Sequence, residues 1–131
     1  MSDEPHINVE KQVAYWRDGA LESWKDAEYN IKGGRIAFGL FAIHLTSEKA
    51  LKAHVVKNTK KLPPTIHNLI SLANLAGLKL TSQQLQLFAE LNPLNIEGRY
   101  PGNIRKVLSK QEAQAIAKRT KVALEWLIKQ L

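Results

Sequence analysis

The sequence predicts an all-α protein, an up-and-down helical bundle of three long and two short helices. Apolar residues recur at three- and four-residue steps along three long segments. No segment of comparable strength alternates with period two, as a half-buried strand would. The breaks between segments are helix punctuation: Gly33-Gly34, Pro63-Pro64, Gly77 and Asn92-Pro93.

Residues 1–7 read as a loose tail, and residues 8–131 as one helical-bundle domain. Asn8 suits an N-cap. From there Val9, Val13, Trp16, Ala20, Trp24, Ala27 and Ile31 form the stripe of a long amphipathic helix. Trp16 and Trp24 read as core anchors. Gly33-Gly34 offers a left-handed stop. The second helix is expected from Arg35 to about Asn58. Its first ten residues after the arginine, Ile36 to Leu45, carry no acid, lysine or arginine. A helix apolar nearly all round belongs in the middle of a bundle. His44, Glu48 and Lys52 then follow at i, i+4 and i+8, one polar row on one face. The tail KNTKKLPP reads as a basic solvated loop. Thr65 is expected to cap a short helix from Ile66 to about Ala76. Thr81 and Gln84 have capping-box form and open another, with Leu85, Phe88 and Leu91 on its buried face. Residues Asn92 to Leu108 show no clean periodicity and hold Arg99-Tyr100 between Gly98 and Pro101. Ser109 and Glu112 make a second capping box. It opens a final helix striped by Ala113, Ile116, Ala117, Thr120, Ala123, Leu124, Leu127 and Leu131.

Composition bounds the function. The 131 residues are 44% hydrophobic and 24% charged, an ordinary globular balance. With no cysteine there is neither a disulfide framework nor a thiolate site. The start lacks an apolar signal core, and no window approaches a spanning helix, so a cytoplasmic protein with no membrane association is expected. The formal net charge of +7 suits phosphate, in a nucleotide or in RNA, and it also serves solubility alone.

Three places could carry chemistry. In the row His44, Glu48, Lys52, a histidine beside a carboxylate can exchange protons, and a lysine one turn on can hold an anion. The same row also fits buried groups that satisfy one another. His44 and Glu48 could offer two metal ligands on one helix face, but the spacing is not HExxH and few other histidines stand nearby in sequence, so neither metal nor cofactor is expected. His67 is expected near a helix N-terminus, where anions are attracted, or as a structural hydrogen-bonder. Arg99-Tyr100 could clamp a phosphate, or could simply pin its own loop.

Together HLTSEKALKAHV (residues 44–55), KLPPTIHNLISLA (61–73) and NIEGRYPG (95–102) resemble the HEPN domain family. The resemblance runs over almost the whole chain, with the motifs in the family's order. It implies a helical bundle, often a homodimer with a cleft between subunits. Glu48 and Lys52 match the family's EK..K helix, His67 its HNL histidine, and Arg99, Tyr100 and Pro101 its RYP loop. His44 stands where relatives show His or Gln, and Gly98 stands where alanine is usual. The resemblance therefore implies a ligand-binding set of Lys52, His67, Arg99 and Tyr100, supported by His44 and Glu48. The implied role is that of a non-catalytic, nucleotide- or phosphate-binding partner of a minimal nucleotidyltransferase, in a two-component or toxin–antitoxin type of system. One departure bears on enzymology. The ribonuclease branch places a histidine four to six residues after its arginine, whereas no histidine follows His67 in this chain. Catalytic residues are accordingly not expected. Two alternatives stay open: an RNase-like toxin using another base, His44 or His67, and a purely structural oligomerisation domain.

Overall fold

The computed structural model describes residues 6–95 and 108–131. Helix α1 spans Val9–Lys32, α2 Ile36–Thr59, α3 Leu69–Leu75, α4 Ser82–Leu91 and α5 Lys110–Lys129. A 3-10 turn, Asn92–Leu94, follows α4. No strand occurs among the described residues. Among the described residues the architecture is the expected bundle of three long and two short helices.

Local chemistry accounts for the ends. The Asn8 side chain accepts the Lys11 N–H and starts α1. Both predicted capping boxes are formed, Thr81 with Gln84 and Ser109 with Glu112, each pair satisfying two otherwise free N–H groups. The α1–α2 turn places Gly34 at φ 80, where a side chain would be strained. Thr65 does not cap α3. Asn68 does, three residues later, by accepting the Ser71 N–H, while the Asn92 side chain accepts the Leu69 N–H at 2.9 Å. The reason is tertiary: a residue from beyond α4 satisfies the first turn of α3.

Helix α2 is the axis of the bundle and packs against α1, α3 and α5. From Ala42 to Val56 almost every α2 residue is buried, as a nearly all-apolar helix requires. Near the hairpin, Gly39 lets α2 approach Ile31 of α1 so closely that a Cβ would collide with the Ile31 side chain. Phe88, Leu87 and Leu91 bring α4 into the core, whereas Leu85 is exposed, so the buried face of α4 is turned from the one its spacing suggested. His54 donates from α2 to the Leu127 carbonyl at 2.7 Å, and Asn58, one turn on, donates to the Ala76 carbonyl, tying α5 and the end of α3 to α2.

Candidate functional site

The polar row of α2 is buried as a unit: His44, Glu48 and Lys52 are each no more than 5% exposed. Three buried polar groups on the axis of a bundle must answer one another. Glu48 is the hub. Its Oε2 accepts from Lys52 Nζ at 3.0 Å, and its Oε1 accepts from His67 Nδ1 at 2.9 Å. His44 Nδ1 lies 3.8 Å from the same Oε1. Burial holds the His44 imidazole below the usual histidine range. The Glu48 charge and a hydrogen bond to the His67 backbone oppose that shift, and nearby His67 and Lys52 add to it.

His67 differs from the rest in exposure. Its side chain is 61% exposed although Nδ1 is tied to a carboxylate only 7% exposed. It lies near the N-terminus of α3, as expected, but just ahead of the Asn68 cap and outside the helix, and the N–H groups of Leu69 and Ser71 are already taken by side chains. A carboxylate only accepts, so His67 Nδ1 is the donor and Nε2 is left for solvent or a ligand.

One participant was missed in the sequence. Trp16 is only half-buried, and Lys52 Nζ lies over its ring, 5.4 Å from the centroid. Its place was readable from the α1–α2 hairpin. The two helices run antiparallel from the Gly33-Gly34 turn, so residues progressively farther from it meet: Ile31 with Gly39, Ser23 with Lys49, Trp16 with Lys52. Among the described residues, the buried Trp16 Nε1 and His44 Nε2 have no hydrogen-bond partner. The cluster thus holds more polar capacity than the fold consumes.

The structure therefore brings together His44, Glu48, Lys52 and His67. Arg99 and Tyr100 lie outside the described residues. Among the described residues no three His, Asp or Glu side chains are grouped to hold a metal, and no helix is long and apolar enough to cross a membrane.

Comparison with known proteins agrees with the resemblance read from the motifs. The family model of the HEPN domain matches residues 13–131. Among solved structures, TT1696 from Thermus thermophilus is similar in fold with a TM-score of 0.77, at 19% identity, over 92% of this chain and 98% of that one. No curated protein matches the sequence.

Proposed function

The chain belongs to the HEPN domain family, and we propose that within it the protein binds a nucleotide or RNA phosphate at His67, as the non-catalytic partner of a minimal nucleotidyltransferase. One observation carries the reading: a buried carboxylate orients an otherwise exposed imidazole, at 2.9 Å. A protonated His67 would donate Nε2–H to a phosphate oxygen, and the bond to Glu48 removes part of the orientational cost of doing so. Lys52 acts from behind. Its ammonium is paired with Glu48 and covered, so it contributes charge and holds the carboxylate without touching the ligand. Arg99 and Tyr100 join the proposal on the family resemblance, as a bidentate phosphate clamp and a stacking or hydrogen-bonding ring. The formal charge of +7 favours such ligands at long range.

Thermal unfolding with ATP, GTP and a short RNA tests this. A ligand at 100 times its Kd stabilises by about 2.7 kcal/mol. The expected result is a rise in melting temperature with at least one of the three, lost in His67→Ala and Arg99→Ala. No shift with any of them, together with unchanged binding of a co-expressed nucleotidyltransferase by Arg99→Ala, would refute the proposal.

A second reading rests on the same pair. With Nδ1 donating to Glu48, a neutral His67 presents the Nε2 lone pair, the arrangement of a general base. RNA cleavage by wild-type protein that His67→Ala abolishes would establish the RNase-like alternative in its place.

A further inference from the structure

A groove runs between α1 and α5, away from the His67 cluster. Two adjacent cavities of about 500 and 360 Å³ lie along it, with Trp24 and Lys121 lining both. The antiparallel register is set at one end by Lys110 Nζ on the Lys32 carbonyl. From Gln114 to Lys129 the groove follows α5 for roughly 22 Å at 1.5 Å per residue, about four helical turns.

Its floor and rim differ. Leu21, Trp24 and Ile128 form an apolar floor, and Leu21 is 40% exposed. The rim is basic: Lys32, Lys118, Lys121 and Lys129 line it against Glu28 and Glu125. Among the described residues none of those four ammonium groups is in an ion pair.

We propose that this groove docks an acidic amphipathic helix of a partner protein. A helix laid in a groove presents apolar anchors at i, i+3, i+4 and i+7, which an aliphatic floor with one tryptophan accepts. Glutamates flanking those anchors would meet the lysine rim. A nucleic-acid strand fits less well, since its bases call for several stacking rings and the floor has one. A second copy of this chain fits less well too, because a molecule of net charge +7 brings cations to a cationic rim.

The test uses the full chain and a labelled sixteen-residue peptide with Leu at i, i+3, i+4 and i+7 and Glu on its flanks. Controls are the same peptide with Lys for Glu, and a single-stranded oligouridine. The expected results are fluorescence-anisotropy binding of the acidic peptide at least tenfold tighter than the basic one, weakening as salt rises. Backbone amide shifts should concentrate on residues 21–32 and 114–129 and spare His67. The double variant Lys118→Glu/Lys121→Glu changes only exposed residues and should weaken binding at least tenfold with unaltered circular dichroism. Equal affinity for both peptides, shifts that map elsewhere, an unaffected double variant, or oligouridine displacing the peptide from the groove would each overturn the proposal. Failure here leaves phosphate binding at His67 untouched, because that is read with nucleotides on other residues.

Discussion

The Glu48–Lys52 pair offers the most searching test of the central helix. Glu48→Gln keeps the shape and removes the charge, leaving the Lys52 ammonium in a site where its side chain is 6% exposed. Removing one member of a buried pair costs about 3–5 kcal/mol. The Trp16 ring faces the ammonium in wild type and variant alike, so it does not offset that cost. A loss of about 3–5 kcal/mol is expected for Glu48→Gln. Lys52→Met should cost less, because His67 still donates to Glu48 and a thioether packs well on the Trp16 ring. The double variant buries no charge, and its amide can still accept from His67, so it should fall within about 1–2 kcal/mol of wild type. Urea unfolding followed by far-UV circular dichroism gives all four corners of the cycle. Single variants that lose under about 1 kcal/mol, or a double variant that loses the sum of the two, would show that the pair is solvated and uncoupled.

Three further outcomes follow from the packing and the caps. Ser109→Ala should cost about 1 kcal/mol by calorimetry, because it opens the capping box of α5. Gly39→Ala should cost about 1–3 kcal/mol, since its Cβ meets the Ile31 side chain and, at 3.2 Å, the Ile31 backbone nitrogen; an unchanged melting temperature would mean that the hairpin opens freely. His54 is held below the usual histidine range by burial, against its bond to Leu127. The unfolded chain therefore takes the proton first, so stability is full above about pH 6.5 and declines as pH falls from there to the depressed folded value. His44 works in the same direction. In His54→Gln, which keeps a donor for the Leu127 carbonyl, that acid decline should shrink in a pH series of urea midpoints.

The fold was legible wherever a cap or stripe is local. Asn8, Thr81 and Ser109 each satisfy an N–H three residues away, so α1, α4 and α5 begin where their sequences say. The start of α3 was not legible, because Thr65 and Asn68 both suit an N-cap and the choice involves Asn92, twenty-three positions from Leu69. The buried face of α4 failed for a related reason. With Leu85, Leu87, Phe88 and Leu91 all apolar, only the neighbours of α4 decide which one faces water. In the candidate site the α2 row was visible from spacing and His67 from the family motif. That a single carboxylate would join them was not, because the α2–α3 connection lacks a regular period from which to place His67.

Glu48 resolves the two meanings the polar row had in sequence. One oxygen faces Lys52 inside the bundle and the other faces His67 at the surface, so the same carboxylate serves both fold and exposed imidazole. Structural and chemical roles are then separable at His67 alone. His67→Ala leaves the Glu48–Lys52 pair intact and removes a side chain that is 61% exposed. The lost hydrogen bond to a charged group should cost about 1.5–3 kcal/mol, toward the lower end because the imidazole is exposed and His44 Nδ1, 3.8 Å from the vacated oxygen, can move toward it. Urea unfolding of His67→Ala should thus stay well above that of Glu48→Gln, while its nucleotide- or RNA-dependent stabilisation disappears. If His67→Ala instead unfolds as readily as Glu48→Gln, the imidazole is a structural strut and its exposed nitrogen is not the contact for a phosphate.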